Sequence, residues 1–312
     1  MKLQEASDLY ILRRQMAGEK FYGPASLLRS FCRRYGDKSL MSITATEVKE
    51  FLDGPRTGPA TWRVKYGMLR VFFEYWRRRG DVKMLPMPPT APKYTSSFLP
   101  YIFTKQELRS LLDAIPRCQQ RPHCQMSAVT FRALLLFLYG TGMRVGEAVH
   151  LRMAQVDLDH GVITIRGTKF YKSRLVPLGR DVQQLLLDYV AIPGRRDRSD
   201  QHLFLSKSRA AIKRAVVERS FRRLRQLAGV HRNDDSSYQP RVHDLRHTFA
   251  VHRVTDWYRQ GADVQSLLPA LSTYLGHVDL ASTQRYLTMT PDLLAEANRR
   301  YQQYVYGGCD ER

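Results

Sequence analysis

The chain has little cysteine and no long apolar run. Four of its 312 residues are cysteines, and only Cys118 and Cys124 are close in sequence. His123 between them does not complete a four-ligand zinc pattern, so we expect reduced, structural thiols and no metal site. No stretch is apolar enough to span a bilayer and no basic-then-apolar leader is present, so we expect a cytoplasmic protein with no membrane partner.

Acidic residues are outnumbered along the whole chain. The formal charge is +21, and residues 1–98 hold 18 Lys and Arg against 9 Asp and Glu, which leaves 32 against 20 for the remainder. Two basic halves suggest a clamp on a polyanion, because neutralising phosphates releases counterions and supplies most non-specific affinity for DNA. A solvated, aggregation-resistant surface or binding to an anionic membrane would also use such charge. Charge alone favours nucleic acid.

The first 85 residues predict a small, all-helical domain. Thr44 and Glu47 have the spacing of a capping box, in which each side chain satisfies a free backbone amide at the helix start. A longer helix is predicted after Pro59, with apolar residues at helical spacing from Trp62 to Trp76. We expect this aromatic stripe to be core. The basic residues on the other faces are candidates for DNA contact, and a solvated face is the alternative for each of them. Residues 86–100 contain five prolines and predict an extended linker to a second domain, 101–312.

The second domain is predicted to start with a helix after Thr104, a polar loop over 116–125 and a buried helix that ends at Gly140. Residues 140–151 read GTGMRVGEAVHL. Its glycines allow a tight turn that places Arg144 near a helix start, where Glu147 one turn later could orient the guanidinium. Residues 161–178 alternate apolar and polar on both sides of a loop, which predicts two paired strands with Lys169 at the turn.

The last quarter of the chain collects residues suited to phosphoryl transfer. His243 and Arg246 are three apart, so a helix would point both in one direction. Glycines at 261 and 276 are predicted to break the segment into short helices that bring His277 and Tyr286 back toward them. A basic fork, two imidazoles and a phenol make a plausible site for attack on a phosphodiester.

The ordered motifs resemble the tyrosine recombinases, or phage integrase family, including the Xer type. They are Arg144 in GTGMRVGEA, Lys169 followed by SRLVPL, His243 and Arg246 in HDLRH, His277 in LGH and Tyr286 in STQRYL. The resemblance implies a mainly α protein with a small β-sheet, built from a helical, SAM-like core-binding domain and a recombinase catalytic domain. It also implies DNA strand exchange with no metal or nucleotide cofactor.

Each of the six residues has a chemical role to fill. Two guanidiniums, of Arg144 and Arg246, can present planar forks to the non-bridging oxygens of a phosphate. Tyr286 would attack phosphorus with help from His243, while His277 would hold the phosphate or support the tyrosine. Lys169 would protonate the leaving 5′ oxygen. Because the hairpin loop exceeds that of the Xer type, Lys172 remains an alternative acid.

The chain has other tyrosines, and its composition also fits other functions. Tyr274, Tyr301 and Tyr304 are rejected as nucleophiles on spacing. The tail after Pro291 predicts a helix that packs on its own domain or, as the family implies, on a neighbouring protomer. We expect an integrase or mobile-element transposase that works on double-stranded DNA as a homo- or heterotetramer, with a possible partner recombinase. The alternatives are a type IB topoisomerase and a catalytically silent DNA-binding protein.

Overall fold

Helices dominate both of the units into which the chain divides, Met1–Ser96 and Ser97–Arg312. The structure is a computed structural model that describes residues 1–55, 57–89, 99–166, 173–193, 201–234, 236, 238–276 and 291–306. No helix in these ranges is long and apolar enough to cross a membrane.

The first unit is a bundle whose helices follow the predicted signals. They are α1 (Leu3–Met16), α2 (Tyr22–Tyr35), α3 (Ala45–Leu52) and α4 (Pro59–Arg78). The capping box forms at α3: Thr44 Oγ1 accepts from the Glu47 amide at 3.3 Å, and Glu47 accepts from the Thr44 amide at 2.9 Å. Along α4, Trp62, Leu69 and Trp76 are buried, which confirms that the aromatic stripe is core.

The start of the proline-rich segment packs within the first unit. Residues 86–89 have no regular secondary structure, but Pro86 and Pro88 are buried. Tyr66 donates its hydroxyl to the carbonyl of Pro88 at 3.3 Å. The remainder of the predicted linker, residues 90–98, lies outside the described residues.

The second unit combines helices with a small antiparallel sheet. Its helices are α5 (Lys105–Gln119), α6 (Ala128–Thr141), α7 (Val145–His150), α8 (Arg180–Val190), α9 (Arg214–Leu227), α10 (Asp244–Arg259), α11 (Val264–Leu275) and α12 (Pro291–Tyr306). The strands are β1 (Val156–Asp157), β2 (Val162–Ile165) and β3 (Arg174–Pro177), in the order β1-β2-β3. Ile163 pairs with Val176, which confirms the predicted hairpin. The mainly α class with a small sheet is therefore correct.

Two helix boundaries differ from the sequence prediction. Helix α5 continues through Pro116 to Gln119, where a loop was predicted, because burial of Ile115 and Cys118 offsets the backbone hydrogen bond that proline cannot donate. Helix α6 ends at Thr141 and not at Gly140. A Cβ at Gly140 would lie 2.4 Å from Cγ2 of Val182, so this glycine allows α6 to pack closely on α8.

Helix α6 lies at the centre of the second unit. Its side chains Phe131, Leu134 and Phe137 are completely buried. It contacts α5, α8 and α10, and burial on several sides explains why its sequence is apolar around most of its circumference. The candidate active site lies where three helix ends meet: the carboxyl ends of α6 and α11 and the amino end of α10.

Candidate active site

Arg144 lies at the turn between α6 and α7. Gly142 ends α6 with φ +59°, a left-handed conformation that glycine adopts without a Cβ penalty. Glu147, on the first turn of α7, accepts from the backbone amide of Arg144 at 3.3 Å and from its Nη1 at 2.9 Å. The predicted orientation of this guanidinium by Glu147 is therefore present. The Arg144 side chain is 38% exposed, so it can reach a ligand from solvent.

Arg246 lies on the first turn of α10 and is buried. It is 3% exposed. Its Nη1 donates to the carbonyl of Gly142 at 2.8 Å, and its Nη2 donates to the carbonyl of Leu275 at 2.7 Å. Arg246 thus connects the turn before Arg144 with the end of α11.

The end of α11 is where the two predicted arginines meet. Gly276 closes this helix with φ +68°, and its carbonyl accepts from Arg144 Nη2 at 2.9 Å. Arg144 and Arg246 therefore donate to consecutive carbonyls, those of Gly276 and Leu275. Carbonyls at the carboxyl end of a helix carry partial negative charge and favour cations. Residues separated by about a hundred positions along the chain are brought to one point.

His243 immediately precedes α10 beside these arginines. Burial lowers the pKa of His243 to about 4, and the positive charges of Arg246, Arg241, Arg144 and Arg214 lower it further in that order of importance. A neutral imidazole can accept a proton at neutral pH, whereas an imidazolium cannot. The same arginines make the surroundings of His243 favourable for an anion.

The other predicted site residues, Lys169, Lys172, His277 and Tyr286, lie outside the described residues. Of the rejected tyrosines, Tyr274 is partly buried and its hydroxyl donates to the carbonyl of Pro177 at 3.4 Å. Burial raises the pKa of Tyr274 to about 12. That change makes ionisation harder at neutral pH and disfavours Tyr274 as a nucleophile.

Arg174 is a residue of this region for which the sequence predicted no role. It begins β3, and its side chain is 10% exposed and paired with Glu147. A signal was present in the sequence, because residues two apart in a strand share a face. Val176, two positions later, is buried, so Arg174 is a charged residue on a side of the strand that faces the core.

The donor set in this region does not suit a metal ion. Guanidinium groups are not metal ligands, and among the described ranges no group of three or more His, Cys, Asp or Glu side chains could hold one. The chemistry of the assembled side chains is that of an anion site: three guanidiniums, a neutral imidazole and one carboxylate that pairs with two of the guanidiniums.

The sequence matches known proteins over most of its length. Residues 102–292 match the phage integrase family. Over 318 residues the chain is 35% identical to y4rE of Sinorhizobium fredii, which is named an integrase/recombinase, covering 96% of this chain and 95% of that protein. It is 31% identical over 234 residues to tyrosine recombinase XerA of Thermococcus kodakarensis, covering 74% and 72% of the two chains.

Solved structures share the fold at low sequence identity. An integrase of transposon Tn1549 in complex with circular intermediate DNA has a TM-score of 0.71 at 18% identity, covering 96% of this chain and 99% of that one. A λ integrase dimer bound to a COC′ core site has a TM-score of 0.66 at 20% identity, covering 90% and 97%. The chain belongs to the phage integrase family of tyrosine recombinases. Its activity is site-specific recombination, in which DNA is cleaved and rejoined.

Proposed function

We propose that this recombinase cuts one DNA strand with Tyr286, forms a 3′-phosphotyrosine and then transfers that end to a new 5′ hydroxyl. The observation that carries the proposal is the meeting of Arg144 and Arg246 at the end of α11, beside His243. Arg144 and Arg174 also share the carboxylate of Glu147, which leaves an excess of positive charge. A partly buried excess of this kind is stabilised when an anion binds.

The two arginines have different parts in gripping the scissile phosphate. Arg144 contacts a non-bridging oxygen from the solvent side, since its side chain is 38% exposed. Arg246 is 3% exposed and adds positive charge from within the protein. Donation from each terminal nitrogen of Arg246 to a carbonyl fixes the plane of this guanidinium. The positive charges oppose the negative charge that grows around phosphorus in the transition state.

Proton transfer completes the cycle. A phenol with a free pKa of about 10 needs a base to become a nucleophile at neutral pH. His243, held neutral by its low pKa, is the proposed acceptor, and His277 holds the phosphate or supports Tyr286. Lys169, or Lys172 in its place, protonates the 5′ oxygen as it leaves. The phosphodiester energy is kept in the phosphotyrosine, so resealing requires no nucleotide.

The units have separate tasks in this proposal. Residues 1–85 form a core-binding domain on double-stranded DNA, residues 86–100 a linker, and residues 101–312 the catalytic domain, and the protein acts in the cytoplasm as an integrase or mobile-element transposase. A λ integrase tetramer on a Holliday junction has a similar fold, with a TM-score of 0.65. We extend tetramer formation on DNA to this chain, with identical protomers or with a partner recombinase. The relatives are recombinases, which favours strand exchange over the topoisomerase and silent-binding alternatives.

A covalent trap tests the proposal. The substrate is a nicked duplex that carries a site selected from random-sequence DNA by binding, so that the cut strand loses its short end and cannot be resealed. Wild-type protein should form an adduct stable to denaturant, and Tyr286→Phe should bind the same duplex but form none. An adduct that persists in Tyr286→Phe would refute the assigned nucleophile. Relaxation of supercoiled plasmid lacking the selected site would favour the topoisomerase alternative.

A further inference from the structure

Arg174 forms a set of buried contacts beneath the proposed phosphate site. Its Nη2 donates to Oε2 of Glu147 at 2.7 Å and its Nη1 donates to Oε1 at 3.2 Å. Its Nε donates to the carbonyl of Tyr274, on the last turn of α11, at 3.1 Å. The two parallel bonds to Glu147 form the bidentate guanidinium–carboxylate geometry, which fixes direction as well as distance.

Glu147 is shared between a buried and an exposed guanidinium. Oε1 also accepts from Nη1 of Arg144 at 2.9 Å. The side chain of Arg174 is 10% exposed, against 38% for Arg144. Burial raises the pKa of Glu147, but Arg174 and then Arg144 outweigh that effect, so the pKa lies below its usual value. Arg174 therefore contributes more than Arg144 to keeping this carboxylate charged.

Gly276 brings the end of α11 into the same set of contacts. A Cβ at this position would lie 2.8 Å from Nη1 and 3.1 Å from Cζ of Arg174, so the backbone passes directly over the guanidinium. The carbonyl of Gly276 accepts from Nη2 of Arg144. Arg174 thus fixes both groups that hold Arg144: the Glu147 carboxylate and the backbone at the end of α11.

We propose that Arg174 is a positioning residue for strand cleavage, which orients Arg144 toward the scissile phosphate by holding Glu147 and the end of α11. The inference rests on the proposed function. Arg174 does not itself grip the phosphate, because its side chain is almost fully buried and its three nitrogens are all engaged within the protein.

Loss of Arg174 should act through geometry. Glu147 would retain Arg144 as its partner, and an incompletely compensated buried carboxylate draws the remaining cation inward. The Arg144 fork would then turn away from solvent and from the phosphate. The affinity for DNA, which depends on contacts spread over both units, should change little. The cleavage rate should fall, because the Arg144 guanidinium no longer stabilises the transition state.

The variants are Arg174→Met, Arg174→Lys and a matched control, Arg232→Met. Arg232 is also a buried arginine: its side chain is 3% exposed, and it donates to Asp234 at 2.7 Å and to the carbonyl of Leu99 at 2.7 Å. Thermal melting and affinity for the selected duplex are measured for each variant. If loss of any buried arginine were enough to slow cleavage, both methionine variants should show the effect.

Cleavage is followed as adduct formation in a single turnover on two nicked duplexes. One has an ordinary phosphate at the mapped cleavage position, and the other has a methylphosphonate, in which a neutral methyl replaces one charged oxygen. On phosphate, Arg174→Met should cleave about 100-fold more slowly than wild type, while affinity stays within about threefold. On methylphosphonate the ratio of the wild-type rate to the Arg174→Met rate should shrink to about tenfold or less. The transition state then carries less negative charge, so it depends less on the Arg144 guanidinium.

The lysine variant and one double variant separate an effect through Arg144 from a general loss of stability. Arg174→Lys keeps the charge but not the fork, so its rate should lie between those of wild type and Arg174→Met, and it serves in place of Arg174→Met if that protein does not fold. Glu147→Gln combined with Arg174→Met should be no slower than the slower single variant, because both disable the same contact to Arg144.

The outcomes that contradict the inference are distinct. The inference would be overturned if Arg174→Met cleaved within about threefold of the wild-type rate. It would also be overturned if Arg174→Met lost the same factor in rate on both duplexes and Arg232→Met lost that factor too. An absence of any Tyr286-dependent adduct with wild-type protein would instead overturn the proposed function, and the inference with it.

Discussion

Acidification should destabilise this protein through His243 in a way that can be isolated. Burial, reinforced by Arg246, Arg241, Arg144 and Arg214, lowers the pKa of His243 from 6.5 to about 4. The unfolded chain therefore binds a proton at higher pH than the folded chain does. The contribution of neutral His243 to the unfolding free energy is complete above about pH 6.5 and is lost as the pH falls from there to about 4.

The size of the effect follows from the shift. A displacement of about 2.5 pH units corresponds to about 3–4 kcal/mol at most, since one unit is about 1.4 kcal/mol. Glutamine at this position has no titration, so the unfolding free energy of wild type relative to His243→Gln should fall by up to this amount between about pH 7.5 and about pH 4. Asp244, whose pKa burial raises, is present in both proteins, and its contribution cancels to first order in the difference.

Urea denaturation of both proteins across this pH range measures the difference, and NMR titration of the histidine ring protons measures the pKa directly, with His243→Gln assigning the signal. If the two stability curves stay parallel down to about pH 4, the pKa of His243 is the same in the folded and unfolded chains, and burial beside the arginines does not lower it. Bound DNA should raise the pKa of His243, because a phosphate offsets the arginines that lower it.

Two other perturbations test the positions of the elements. Gly142→Ala should lose roughly 2–4 kcal/mol in chemical denaturation, because φ is +59° and the new Cβ would lie 2.4 Å from Cδ1 of Phe249. Gly229→Ala is the control, because φ is +68° and a Cβ there would have nothing within 4 Å; its unfolding free energy should fall by only about 1 kcal/mol. If both variants lost the same unfolding free energy, the packing of Gly142 against Phe249 would not be tight. Deletion of residues 291–312, which removes α12, should weaken assembly on the selected duplex in native gels, and unchanged assembly would count against a role for α12 between protomers.

Much of the secondary structure could be predicted because its causes are local. The capping box predicted at Thr44 forms, and the helix predicted after Thr104 also begins with one, in which Thr104 Oγ1 accepts from the Glu107 amide at 3.1 Å. The glycine at 276 ends a helix in the left-handed conformation. The error at Pro116 has a non-local cause: the core that buries Ile115 and Cys118 lets the helix continue past a residue that would end it in isolation.

The sequence by itself determined the order and identity of the motif residues, because those chemical groups are needed for phosphoryl transfer wherever they lie in space. Only the tertiary structure decided that Arg144 and Arg246 meet at the carbonyls of Gly276 and Leu275 and that Arg174 lies beneath them, sharing Glu147. Contacts between residues far apart in the chain, and the desolvation that shifts the pKa of His243, arise from packing and cannot be read from spacing along the chain.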